Sequence, residues 1–143
     1  MSKRVGIEPK AYEAMIGLEK YLETTGMNPL HAEMIRIRAS QINGCAYCIN
    51  MHTKDARTAG ETEQRIYLLN AWRETSLYTP EERAILALVE EVTLISNHGV
   101  SDKVYEEAEA VLGRKYLSQV LAAIIVINAW NRLGISAQMQ PAD

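Results

Sequence analysis

Cysteine is scarce in this chain of 143 residues: there are two, Cys45 and Cys48, three positions apart. The fold must therefore be held by an apolar core rather than by staples, and a chain of this length can bury one as a single domain, 1–143. At 48% hydrophobic and 23% charged residues it is too apolar to be disordered. No excess of positive charge exists either. The net charge is -3, and no Lys/Arg cluster exceeds what a solvated helix face carries, which argues against nucleic acid as a partner. Long apolar runs are missing too. The most apolar, Val120 to Ile127, falls far short of the roughly 20 residues that cross a bilayer and reads as a buried helix. Met1-Ser2-Lys3-Arg4-Val5-Gly6 has positive charge but no apolar stretch behind it, so it does not read as a secretory signal. The expected compartment is cytoplasmic and reducing. There, a C-x-x-C pair is more often redox-active or metal-binding than structural.

Strand signals, internal repeats and linkers are also lacking. The pattern is helical almost throughout. Tyr12, Met15, Ile16 and Leu18 to Leu22 mark a first amphipathic helix, closed by Thr24-Thr25-Gly26. Asn28-Pro29 opens a second, which runs to Asn43-Gly44. A third begins at about Cys45 and ends near Gly60, and a fourth covers roughly Glu63 to Arg73. Thr79-Pro80-Glu81-Glu82 is a capping box that opens a helix through Ile95. Ser101-Asp102 starts another, ending at Leu112-Gly113, and the last spans about Lys115 to Arg132. The expectation is an all-α, single-domain bundle of six or seven helices, with the C-x-x-C at the N-terminal end of the third.

Four residues carry the chemistry: Glu33, Cys45, Cys48 and His52. Residues four apart on a helix lie one above the other, so Cys48 and His52 face the same way. Cys45 shares the stripe and can reach Cys48 for a disulfide, but it lies about 10 Å along the axis from His52. The Asn43-Gly44 reversal makes the second and third helices antiparallel neighbours. Glu33 then stands about 15 Å before the turn and His52 about 12 Å after it, heights a glutamate side chain can bridge. Glu33 can hold one imidazole nitrogen and leave the other to accept the proton of Cys48. The helix dipole favours Cys45 by about 0.3–1 kcal/mol. General-base assistance to Cys48 is worth about 100- to 10,000-fold in rate, which is larger. Cys48 is therefore assigned as the attacking thiolate and Cys45 as the resolving thiol. A zinc site built from both thiols, the imidazole and the carboxylate is the competing reading. Structural zinc usually draws on two separated pairs of ligands, so no metal or other cofactor is expected.

Glu33, eleven residues, Cys45, two, Cys48, three, His52 resembles the E-x11-C-x2-C-x3-H signature of AhpD-like alkyl hydroperoxidases, within the carboxymuconolactone decarboxylase superfamily. Thr79 to Leu88 and Ile127-Asn128-Ala129-Trp130-Asn131-Arg132 also resemble family segments. The resemblance implies an all-helical homo-oligomer and a hydroperoxide reductase that uses cysteines without haem or metal. It implies that the cysteine nearer the histidine, Cys48, reduces the peroxide and that Cys45 resolves it. It also implies recycling by a dithiol donor, a dihydrolipoyl domain or a thioredoxin-like protein. Where some members carry a second relay histidine, this chain has Tyr47, a possible auxiliary that can donate a hydrogen bond but is a poor base near neutral pH. A thiol redox adaptor or sensor without peroxidase activity is the alternative. Lactone or decarboxylase chemistry needs no C-x-x-C pair. His31 and His98 read as structural, and Met27, Met34, Met51 and Met139 as core or interface filler. Trp72 and Trp130 read as core or contact aromatics, one of which could line the pocket. Asn131 and Arg132 could support the site from the last helix.

Overall fold

Helix starts are written into the side chains that cap them. In a computed structural model, which describes residues 4–143, Asn28 accepts the backbone N–H of Leu30 at 2.9 Å just ahead of Pro29. Thr79 and Glu82 close a reciprocal capping box, and Ser101 accepts the N–H of Val104. Such caps satisfy N–H groups that a helix leaves without partners, each worth about 0.5–2 kcal/mol. Met1-Ser2-Lys3, part of the segment examined for an export signal, lies outside the described residues.

Among the described residues there are seven α-helices: α1 (Pro9–Thr24), α2 (Pro29–Asn43), α3 (Ala46–Thr58), α4 (Glu63–Tyr67), α5 (Pro80–Thr93), α6 (Asp102–Leu112) and α7 (Arg114–Ser136). A 3-10 helix, Leu69–Glu74, follows α4, and no strand occurs among the described residues. The all-α expectation holds, with the cysteine pair opening α3. The single helix expected over Glu63 to Arg73 is instead broken in two. The pieces part at Leu68 (φ -94°, ψ 4°), and inside the 3-10 helix Ala71 also leaves helical geometry (φ -115°, ψ 27°), next to Trp72, whose ring is buried and whose indole N–H donates to Glu90 at 3.1 Å. Arg83 takes up the freed carbonyls of Trp72 and Thr75. α5 stops at Thr93, two residues before the expected Ile95.

α2 packs against α3, α5 and α7, and α7 touches α1, α2, α3, α5 and α6. Ile35, Ile37, Ile85, Leu86, Val120 and Ile124 are fully buried where these helices meet, each contributing about 1.5–3 kcal/mol by burial. At 23 residues, with a mean hydropathy of 1.2 over its most apolar stretch, α7 is long and apolar enough to cross a bilayer by length and composition. The run read from the sequence was shorter because it stopped at Asn128. In the structure α7 is the core helix of the bundle, and its asparagines hydrogen-bond to α2.

Candidate active site

The site begins at the two-residue join between α2 and α3. Gly44 takes the left-handed conformation (φ 73°, ψ 33°) that glycine adopts without steric cost. Its N–H bonds to Gln41 and that of Cys45 to Ser40, so α2 ends cleanly. Cys45 is then the N-cap of α3, and its Sγ accepts the backbone N–H of Cys48 at 3.3 Å. The two cysteines are joined as a disulfide with Cα atoms 5.3 Å apart, and they are only 1% and 3% exposed. α7 passes directly behind them. A Cβ at Gly134 would lie 3.1 Å from Cys45 Sγ and 3.6 Å from Cys48 Sγ, so a side chain there would crowd Cys45.

Asn131, one turn earlier on α7, is fully buried and ties down the end of α2. It donates to the Ser40 hydroxyl at 2.9 Å and accepts from Asn43 at 3.0 Å, while Asn43 also donates to Asn128 at 2.9 Å. These bonds hold the last turn before the cysteines. Asn131 thus ties α7 to the end of α2 next to the cysteines. Arg132 instead faces outward and bonds back to Asn128.

Glu33 and His52 meet across the α2–α3 pair, as their heights along the helices require. Nδ1 of His52 lies 3.1 Å from a Glu33 oxygen, and both side chains are buried. The other Glu33 oxygen accepts from Arg36 at 2.6 Å. Arg36 also donates to Glu19 of α1 at 3.3 Å, and Glu19 accepts the indole N–H of Trp130 at 2.9 Å. A continuous chain of polar contacts therefore runs Trp130–Glu19–Arg36–Glu33–His52. Burial pushes the Glu33 carboxyl up, but the hydrogen bond to His52 and the Arg36 charge outweigh it and hold the group below the usual carboxylate range. With Nδ1 engaged by Glu33, the Nε2 face of His52 is left for a second partner.

A cavity of about 260 Å³ opens beside these groups. Cys48, His52, Tyr47 and Met51 come to it from α3, Tyr12, Ile16 and Glu19 from α1, and Trp130, Leu133 and Gly134 from α7. Met139, beyond α7, completes the wall. Cys45 does not line it. Tyr12 and Trp130 stack edge to face with centroids 5.4 Å apart. Met51 and Met139 are thus cavity walls rather than filler, whereas Met34 is core. Trp130 is the aromatic that lines the cavity, and Trp72 is buried elsewhere. His31 is structural, 2.8 Å from the Tyr116 hydroxyl, with burial pushing its pKa down. His98 occupies a left-handed loop position.

Among the described residues, the side chains close enough to share a cation are Glu33, His52 and Asp55, whose ligand atoms lie within 4.8 Å of one another. They are not the set imagined for zinc, since the thiols are absent from it. Arg36 already neutralises Glu33, which leaves a poor donor set for a divalent ion. The residues missed from the sequence are Arg36, Glu19, Tyr12 and Gly134. Arg36 could have been found three positions after Glu33 on the same helix face. Gly134 could have been found as a glycine inside an apolar helix, a sign of close approach.

Comparison with known proteins agrees with this architecture. The family model of the carboxymuconolactone decarboxylase family matches residues 9–91, which include Glu33, both cysteines and His52. The uncharacterised protein YdfG of Bacillus subtilis (strain 168) is 45% identical over 139 residues, covering 95% of both chains. A solved structure from Agrobacterium tumefaciens, ATU0492, a protein of unknown function suggested to be the antioxidant defence protein AhpD, superposes with a TM-score of 0.91. It is 38% identical over 95% of this chain and 93% of its own. The debrominase Bmp8 in complex with 2,3,4-tribromopyrrole shares the fold, with a TM-score of 0.83 at 18% identity over 94% of this chain and 72% of its own. With matches of this length and identity, the chain belongs to the carboxymuconolactone decarboxylase family and is an AhpD-like member of it.

Proposed function

We propose that this protein is a thiol-dependent hydroperoxide reductase in which Cys48 attacks, His52 accepts its proton, Glu33 orients His52 and Cys45 resolves. One observation carries the reading. Of the two sulfurs, Cys48 alone faces the cavity, and it shares that cavity with a histidine held from behind by a buried carboxylate. The family and the AhpD-like neighbour support cysteine-based peroxidase chemistry.

The cycle starts from the dithiol. His52 takes the Cys48 proton, and the thiolate attacks the distal oxygen of ROOH. The O–O bond breaks, the alkoxide takes the proton back from His52 and leaves as ROH, and Cys48 becomes a sulfenic acid. The Cys45 thiol then attacks the Cys48 sulfur and expels water, forming the disulfide seen here. A dithiol donor returns two electrons by exchange and leaves oxidised. No haem or metal enters these steps. A reducing cytoplasm would keep such a donor available, and exposed Ile125, Ile135 and Leu94 suit assembly as a homo-oligomer.

The test is single-turnover oxidation of the reduced protein by an organic hydroperoxide. Cys48→Ser abolishes peroxide consumption. Cys45→Ser consumes one equivalent and accumulates a sulfenic acid that dimedone traps. Full activity in Cys48→Ser would reverse the assignment. A wild-type rate no faster than that of free cysteine would favour the redox adaptor instead.

A further inference from the structure

The segment after α7 does not leave the molecule. Gln138 adopts a left-handed backbone (φ 56°), a conformation that costs glutamine more than glycine. Its N–H bonds to Ile135 at 3.1 Å and that of Met139 to Gly134 at 2.9 Å, the paired bonds of a chain-reversing helix end. The reversal lays Met139 over the cavity, above the same Gly134 that abuts the disulfide. Further on, the carbonyl of Ala142 accepts from Asn50 at 2.8 Å and from Lys54 at 3.3 Å, both on α3. The chain therefore spans from α7 to α3, the two helices that enclose the sulfurs.

We propose that segment 137–143 is a strap that forms one wall of the substrate cavity, and that Met139 sets the selectivity of Cys48 for apolar organic hydroperoxides over hydrogen peroxide. The selectivity rests on the peroxidase reading above; the covering of the disulfide does not. Three observations support it. Met139 and Met51 both line the cavity and are both 40% exposed, so each bounds it toward solvent. A thioether is flexible and polarisable, so it can close around alkyl or aryl groups of differing shape. The strap also contains a weak point, the left-handed Gln138, whose Oε1 is buried without a hydrogen-bond partner. Asn50 and Lys54 of α3 hold its far end at the Ala142 carbonyl.

The experiment compares the wild-type chain with Met139→Ala, Met139→Leu and the double variant Asn50→Ala/Lys54→Ala. kcat/KM is measured for cumene hydroperoxide and hydrogen peroxide, and the rate of disulfide reduction by dithiothreitol is measured separately. Losing one apolar wall contact should lower the cumene-to-hydrogen-peroxide ratio about tenfold in Met139→Ala, chiefly through KM. Met139→Leu, of similar volume, should restore most of it. The double variant should lower the ratio in the same direction and speed reduction by dithiothreitol about fivefold, because a cover has been untied. An unchanged ratio in both Met139→Ala and the double variant overturns the selectivity role. An unchanged dithiothreitol rate in the double variant overturns the strap. If neither peroxide oxidises the wild type faster than free cysteine, the peroxidase reading falls and the selectivity with it, while the dithiothreitol arm still decides whether the segment covers the disulfide.

Discussion

Replacing Gly134 with alanine should make the disulfide easier to reduce while leaving the dithiol form nearly as stable as before. The added Cβ would stand 3.1 Å from Cys45 Sγ and 3.6 Å from Cys48 Sγ, tighter than an ordinary van der Waals contact for the first. In the oxidised protein Cys45 Sγ cannot retreat, because it is bonded to Cys48 and buried at the start of α3. In the dithiol each sulfur can turn away by the few tenths of an ångström required. Crowding of this kind costs about 1–3 kcal/mol in a packed core. Alanine also favours the helix by about 1 kcal/mol over glycine, but that gain is common to both redox states and cancels in the comparison. The oxidised form alone is therefore penalised by about 1–3 kcal/mol, which raises the reduction potential by about 20–60 mV. Redox titration against dithiothreitol, followed by the fraction of free thiol, measures the potential directly. Thermal unfolding of both redox forms supplies a second check, since only the oxidised variant should lose stability. A potential that stays put, or moves to more negative values, would refute the idea that α7 backbone sets the room available to the sulfurs.

Arg36→Gln removes one of the two partners that hold the Glu33 carboxyl low, so burial pushes that carboxyl up and the acid limb of kcat/KM moves to higher pH. Arg36→Lys should return most of the shift, and a limb that does not move would mean that Arg36 serves structure alone. Glu33→Gln should flatten the loss of stability in acid, followed by urea unfolding across the pH range. The folded carboxyl lies below its ordinary value of 4.5, so its contribution is complete above that pH and is lost as the pH falls through the lower folded value. Asn131→Leu strands the buried Ser40 hydroxyl and takes one acceptor from Asn43, costing about 1–3 kcal/mol for the unsatisfied group. A urea midpoint unchanged from wild type would show that the clamp is dispensable.

Much of this site was legible because its parts are local in sequence or tied by one short turn. Cys48 and His52 lie one turn apart on α3, and the Asn43-Gly44 reversal fixes the height at which Glu33 meets His52. Helix spacing alone then determines which side chains meet. The cavity was not legible in the same way. Its far walls come from α1 and α7, 26 to 33 residues before Cys45 and more than eighty after Cys48, and no local period reports where Tyr12 and Trp130 meet. The break at Leu68 and the kink at Ala71 were hidden for a related reason. Helix propensity favours continuing, and only the tertiary reward of burying Trp72 against Glu90 and Arg83 overrides it. α7 was cut short at Arg132, which put Gly134 outside the helix and concealed its contact with the disulfide.

Two electrostatic effects, the helix terminus and the histidine, act on different sulfurs and, in the proposed cycle, on different steps. The start of α3 points a backbone N–H at Cys45 Sγ, so the helix terminus favours negative charge there. His52 stands one turn further along α3, on the cavity wall with Cys48, and Glu33 holds it from α2 behind. During peroxide reduction the charge develops on Cys48, and the histidine is the group placed to take its proton. During recycling a donor thiolate entering through the cavity meets Cys48 first, because Cys45 does not line it. The bond then breaks with charge leaving on Cys45, and a sulfur whose thiolate is stabilised departs faster. One turn of helix thus separates the nucleophile of the first step from the leaving group of the last, and each receives the stabilisation its own step requires.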